Sequence, residues 1–398
     1  MNPGFIKMAL VLGLLSSVGP MAIDMYLPAL PDITKALDTS TRVAQYTLMA
    51  YFVAFGACQI LYGPTSDMFG RKPPLYFGLS LFTIASICCA LAPTIEWLII
   101  FRFFQGVGAA AVMSIPRAVI RDFYTGKQAT RLLTTVMLVF SISPMLAPLI
   151  GSLLLVHFGW RSVFIGISIA TFLSLLLAIS TLPETLSKKN RVPFKLDALL
   201  GAFAVLLRDP IYLGLISIGG FGFSSFFAFL ASASFLYMEY YGLHPTQFSL
   251  AFALNAISFF LSSQFAANFG SHFGPVRLVK WGVAGFALSS TVMYLLVTAG
   301  FDQFVLLMLM LMICNMFLGL VLPTVLILSL EQHGPIAGTA SSLGGALQLS
   351  MGAVSIIIVS LIFDGTPEPL VRVIAVCSIL ALMVSIFVLR HVKNIVAD

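Results

Sequence analysis

Asp24, Arg102 and Gln105 are the residues of this chain best placed to do chemistry. A carboxyl group held among apolar residues can bind and release a proton, whereas a guanidinium stays charged and supplies a fixed field. Gln105 follows Arg102 by three positions, so on a helix the two share one face, with Gly106 and Gly108 giving close packing beside them. Asp24 and Arg102 both fall inside long apolar runs, where an ionisable group costs several kcal/mol unless it is paired or wetted. The chemistry they fit is proton binding and release in a polar cavity, with Arg102 adjusting Asp24. The bland alternative is a fixed ion pair at a helix end, and for Gln105 an interhelical hydrogen bond.

The elements that must position these residues are of membrane length. The chain has 398 residues, 59% hydrophobic and only 9% charged, with mean hydropathy +1.03. Soluble domains carry about 25% charged residues, so a water-soluble fold is excluded. Apolar runs occupy about 5–27, 44–64, 75–93, 97–119, 132–156, 161–182, 211–238, 246–268, 279–299, 303–330, 336–363 and 370–390. Each is long enough to cross the hydrocarbon, which takes about 20 residues. The expectation is an all-α integral membrane protein with twelve spanning helices in two six-helix bundles, 1–182 and 211–398. A basic linker, 183–210, joins them and carries a short amphipathic helix over 196–207, with Lys195 and Arg208 at the headgroups.

The net charge of +6 does not point to nucleic acid, because Lys and Arg sit at the ends of the runs. With both termini in the cytoplasm, only Lys35, Arg42, Arg161 and Arg372 fall on the opposite side, and Arg102 and Arg117 lie within the fourth run. The remaining basic residues are then cytoplasmic, as orientation by positive charge requires. Cys58, Cys88, Cys89, Cys314 and Cys377 lie inside apolar runs without zinc or disulfide spacing and read as packing residues. No phosphate-binding loop, no deep carboxylate pair and no membrane-embedded His/Glu cluster occurs. An ATP-driven pump and a polytopic enzyme are therefore disfavoured, and neither cofactor nor metal is expected.

After the second run comes GPTSDMFGRK, in which Gly63 permits close approach of helices, Gly70 a tight turn, and Arg71 and Lys72 anchor the loop. A weaker echo follows the eighth run, where ANFGSHFGPVRL keeps Gly274 in the equivalent place and suggests repeated halves. The order Gly63, Asp67, Gly70, Arg71, Lys72 resembles the signature between helices two and three of the major facilitator superfamily. The stretch from Arg102 through Gln105, Gly106 and Gly108 looks like its fourth-helix motif in proton-coupled members. SPMLAPLIGS, with Pro144, Pro148 and Gly151, is similar to the antiporter motif of the drug-exporting branch, with Ala147 and Ser152 where glycines are usual. AIDMYLPALP at 22–31, RDFY at 121–124 and AGTASSL at 337–343 resemble the Bcr/CflA family of twelve-helix drug/proton antiporters.

The resemblance implies efflux of bicyclomycin-type, phenicol-type and other small amphipathic compounds across a bacterial inner membrane, by a monomer. It also implies a cytoplasmic latch: Arg71 with Asp122, and Asp67 facing the start of helix eleven near Ile336. Asp24 is expected to trade a proton for cargo. Tyr26, Tyr51, Asn255 and Gln348 are expected to line the substrate cavity, as aromatic and amide groups do in small-molecule sites. Pro144 and Pro148 are expected to bend the fifth helix. A proton-linked uptake symporter is the alternative within transporters, because Asp24 alone does not set direction.

Overall fold

A computed structural model describes residues 3–123, 126–191, 196–331 and 333–395. Lys195 and Tyr124, which entered the readings of the linker and the RDFY motif, lie outside them. The regular elements among the described residues are all helical. The chain divides into two compact units, Met1–Lys195 and Leu196–Asp398. In the first, the helices are α1 (Pro3–Asp24), α2 (Leu30–Ala36), α3 (Thr41–Phe69), α4 (Lys72–Ala90), α5 (Ile95–Phe123), α6 (Gly126–Phe158) and α7 (Trp160–Thr181). In the second they are α8 (Leu196–Arg208), α9 (Pro210–Phe235), α10 (Pro245–Phe273), α11 (Pro275–Thr298), α12 (Phe304–Glu331), α13 (Ala337–Ile362) and α14 (Glu368–Ile395). With α1 and α2 counted as one interrupted span, twelve helical segments are long and apolar enough to cross a membrane. Most run past the apolar stretches because their last turns, such as Thr65–Phe69, carry polar residues that are helical beyond the hydrocarbon.

Inside each unit the helices pack in the same pattern. In the first, α1 contacts α5, α6 and α7, α3 lies on α5, and α4 lies on α5 and α7. In the second, α9 contacts α12, α13 and α14, α10 lies on α12, and α11 lies on α12 and α14. The loop glycines correspond as well: Gly70 has φ +97° and Gly274 φ +83°, a region that penalises any side chain. The echo between the two loop sequences is thus a repeat of backbone geometry.

Lipid supplies no hydrophobic drive between helices, so close packing of small residues must hold them together. A Cβ on Gly106 would run into the backbone of Tyr51, and one on Gly108 would meet Gly78 and Phe82 backbone atoms. α5 therefore touches α3 and α4 almost backbone to backbone. Gly63 does not act in this way within its unit: among the described residues nothing lies within 4 Å of a Cβ built there. Its expected part in helix approach is corrected. Its carbonyl instead accepts the Ser66 hydroxyl, and Pro64 follows it inside α3.

The first span is broken within the bundle. Pro28 has no N–H to donate to the carbonyl of Asp24, four residues earlier, so α1 stops at Asp24. The chain passes through Met25 and Tyr26 into a single 3₁₀ turn, Leu27–Ala29, before α2 resumes. The first helix of the second unit is also irregular: α9 runs into a π-helical turn over Leu236–Tyr240, with Tyr241 donating to the Leu236 carbonyl. The amphipathic helix is present as α8. It seats Leu206 and Phe203 against Tyr212, Ile216, Ala340 and Leu343, and leaves Leu200, Val205 and Leu207 exposed.

Candidate functional site

Arg102 on α5 is fully buried, and its guanidinium lies between two tyrosine rings, 4.5 Å from the centroid of Tyr26 and 4.5 Å from that of Tyr51. Cation–π attraction is worth about 2 kcal/mol or more once the cation is desolvated, so this clamp offsets much of the burial cost. Each ring is fixed at its hydroxyl. The Tyr26 hydroxyl is 2.7 Å from Thr47 Oγ1 on α3, and Tyr51 donates to the Gly19 carbonyl of α1 at 3.0 Å. Arg102 Nη1 donates to Gln105 Oε1 and, at 3.4 Å, to the Ala22 carbonyl. Gln105 Nε2 in turn donates to Ser86 Oγ on α4 at 2.8 Å. Three helices, α1, α3 and α5, thus meet on one cation together with Tyr26 of the break, and Gln105 links it to Ser86 of α4.

Arg102 Nε and Nη2 are left without a hydrogen-bond partner among the described residues. Asp24 does not fill that gap. It makes neither ion pair nor hydrogen bond with another described residue, so the fixed structural ion pair is absent. Its carboxyl ends α1 at the break and is 6% exposed, so it belongs to the interior rather than to a lipid-facing surface. Arg102 reaches the same helix two residues before Asp24, through the Ala22 carbonyl. Gly151 of α6 presses on the same break, against the backbone of Met25. Pro144 and Pro148 lie in a single continuous α6.

The second cluster lies at the turn between α3 and α4. Arg71 grips Asp122 of α5 with Nε at 2.8 Å and Nη2 at 3.1 Å, while Nη1 donates to Asp67 and, at 2.7 Å, to Ser66. Burial lowers the acidity constant exponent of Arg71, but hydrogen bonds and charges from Asp122 and Asp67 outweigh it and raise the pKa above the ordinary value. Glu184, just beyond α7, accepts the backbone N–H groups of Arg71 at 2.9 Å and Lys72 at 3.2 Å. Burial alone would push its carboxyl up. The backbone donors of Arg71, Leu186 and Lys72, with the Arg191 charge, hold it below the usual carboxylate range. Thr185 donates to Asp122 at 2.6 Å. Lys72 carries its ammonium 5.6 Å from the Tyr76 ring. Sequence reasoning named the arginine and its aspartates but missed Ser66, Glu184 and Thr185; the Pro183-Glu184-Thr185 step closing the sixth run was the available signal.

In the second unit Asn315 Nδ2 donates to Asn255 Oδ1 at 3.2 Å, and Asn255 Nδ2 to the Ala251 carbonyl. Gln348 of α13 lies over Gly219, where a Cβ would meet its amide nitrogen. Ser225, Phe226, Phe229, Cys314 and Asn315 line a small internal cavity. His333 is partly buried with Nε2 2.9 Å from Asp209 Oδ2. Asp209 also caps α9 through the Ile211 N–H. Among the described residues no group of three His, Cys, Asp or Glu converges as a metal site would.

Residues 12–358 match the family model described as Major Facilitator Superfamily. The chain belongs to the Major Facilitator Superfamily. It is a multi-pass bacterial membrane transporter rather than an enzyme, and superfamily members move small molecules across membranes. An uncharacterized MFS-type transporter of Bacillus subtilis is 33% identical over 351 residues, 88% of this chain and 87% of that protein. A bicyclomycin resistance protein homolog of Haemophilus influenzae is 30% identical over 397 residues, 97% of each. A chloramphenicol resistance protein of Pseudomonas aeruginosa is 32% identical over 271 residues, 68% of this chain and 63% of that one. The superfamily fold is seen in a crystal structure of a bacterial homolog to the human lysosomal transporter Spinster, with TM-score 0.76 at 15% identity over 100% of this chain and 99% of that one.

Proposed function

We propose that this chain is a proton-coupled antiporter that exports small amphipathic compounds of bicyclomycin or phenicol type by alternating access of its two six-helix bundles. Two relatives spanning much of its length bear resistance to bicyclomycin and chloramphenicol in their names, which supports that cargo class. The observation that carries the coupling is Asp24, a carboxyl at a broken helix end without a partner among the described residues, two positions after the Ala22 carbonyl that accepts from Arg102, whose Nε and Nη2 also lack partners among those residues. Ionised, Asp24 accepts those donors or a donor on the cargo; protonated, it releases them. Binding of proton and cargo is then mutually exclusive, which is the requirement for exchange.

Tyr26, Tyr51, Asn255 and Gln348 line the path of the cargo in this reading, and Gln105 holds Arg102 in register. Gly70, Arg71, Lys72, Asp67 and Asp122 form the cytoplasmic gate, and Pro144, Pro148 and Gly151 shape the helix that moves against the broken span. Both termini lie in the cytoplasm of a cell with this protein in its inner membrane, and the unit of function is the monomer.

The test is Asp24→Asn in proteoliposomes with an imposed pH gradient. The variant, fixed in a neutral form, should hold cargo more weakly and fail to drive it uphill; uphill transport at the wild-type rate would sink the proposal. Ala147 and Ser152 in place of the usual glycines favour one second reading, a proton-linked uptake symporter. Cargo accumulating on the acidic side marks the antiporter, and accumulation on the alkaline side marks the symporter.

A further inference from the structure

On α10 an aromatic ladder, Phe265, Phe269 and Phe273, continues onto Trp281 of α11, with successive ring centroids 6.1, 6.3 and 5.4 Å apart. Each of these side chains is exposed. Phe269, Phe273 and Trp281, with Phe317 and Leu320 of α12, line a groove of about 210 Å³. Its floor depends on glycine: a Cβ on Gly285 would collide with the Phe317 ring, and one on Gly282 would lie 2.5 Å from Val321. The groove is smaller than the ~300–1,000 Å³ of drug-sized pockets and is lined almost wholly by carbon. It suits a stretch of alkyl chain.

At the end of this groove where α10 turns into α11 stand Arg277 and Lys280. Both are exposed, and neither has an ion-pair or hydrogen-bond partner among the described residues. Arg277 precedes Trp281 by four positions, so it shares the groove's face one turn nearer the loop. Comparison of the repeated halves explains why these cations are free. The second loop keeps the glycine turn at Gly274, but Ser271 stands where the first has Asp67 and Pro275 where it has Arg71. This half lacks the aspartate and arginine of the first loop at those positions, and Arg277 and Lys280 are exposed beside an apolar slot.

We propose that this face of α10, α11 and α12 binds one phospholipid with an anionic headgroup, an acyl chain lying in the groove and the phosphate between Arg277 and Lys280. Cations beside grooves between helices are suited to such headgroups, and the cytoplasmic leaflet is the negatively charged one. Placement in that leaflet rests on the orientation proposed above; occupancy of the groove does not.

Trp281 reports on the groove directly. In the variant Trp97→Phe/Trp160→Phe, emission comes from Trp281 alone, because the chain has three tryptophans. The protein would be held in nanodiscs of phosphatidylcholine with increasing fractions of brominated-chain phosphatidylglycerol or brominated-chain phosphatidylcholine. Brominated phosphatidylglycerol should quench at a mole fraction ~tenfold lower. Arg277→Gln/Lys280→Gln should abolish the difference, and Arg277→Lys/Lys280→Arg should keep it. Should the double tryptophan variant not fold, the difference in emission between the wild type and Trp281→Phe supplies the same signal. Equal quenching by the two lipids means an ordinary annular lipid and overturns the proposal. So does a preference that survives removal of both cations, and so does quenching relieved by a transported compound, which would make the groove a drug site. Nanodiscs have no gradient, so failure here leaves the transport proposal intact.

Discussion

Gly151 of α6 lies against the backbone of Met25, so near that a Cβ there would collide with the Met25 carbonyl oxygen and sit 2.7 Å from its Cα. The break in the first span and the fifth span are thereby in direct backbone contact. Gly151→Ala must push α6 away from the residue that follows Asp24. We expect destabilisation of about 1–3 kcal/mol, as for overpacking in a dense core, with loss of most transport. Thermal unfolding in detergent and uptake into proteoliposomes measure the two effects separately.

The tyrosine clamp makes a graded prediction. Tyr51→Phe keeps the ring face over Arg102 and loses only the hydrogen bond to the Gly19 carbonyl, a cost of about 0.5–1.5 kcal/mol. Tyr51→Leu removes the face and should cost about 2 kcal/mol more. Transport should fall in the same order. Arg102→Lys should not restore activity, because an ammonium cannot reproduce a planar guanidinium between two rings.

At the cytoplasmic cluster, Arg71→Lys keeps the charge but loses the two-pronged grip on Asp122. Transport should drop severalfold, with membrane insertion and expression unchanged. Arg71→Ala should lower it further. Equal activity of Arg71→Lys and the wild type would mean that the residue serves orientation alone.

Glu184 gives a pH dependence of defined sign. Its carboxyl is held below the ordinary range when folded, so its contribution is full above the unfolded pKa and is lost as pH falls through the folded one. Detergent-solubilised wild type should therefore lose more stability on acidification below about pH 4 than Glu184→Gln does. Superimposable stability profiles of the two proteins would exclude this role.

Asn255→Leu leaves the Asn315 amide buried without its acceptor. Pairs of this kind inside membranes are worth about 0.6 kcal/mol on average, so a small stability loss is expected. A larger effect on apparent affinity than on stability would place the pair at the cargo path.

The position of Asp24 shows how much can be read in one dimension. Its burden, a carboxylate in an apolar run, was legible, and so was the need for a polar surround. That Pro28 ends the helix at Asp24 was also written in the order of residues. The surroundings of Arg102 were not legible. Arg102 is clasped by Tyr26, Tyr51 and Gln105, and the hydroxyls that orient these groups, Thr47 and Ser86, are among the least distinctive residues in the chain.

Hydropathy and the order of charges by themselves determined twelve spans, the repeated halves and the charged turn after the second span. Lipid demands that every spanning backbone group be paired within its own helix, so span number and length are properties of local composition. Only the tertiary structure decided which glycines carry contacts, Gly106, Gly108 and Gly151 but not Gly63, and which acid holds the Arg71 turn, Glu184 from a segment more than a hundred residues away. Those outcomes depend on which helix faces come together. Side-chain spacing along a helix fixes a face, but not the neighbour that face will meet.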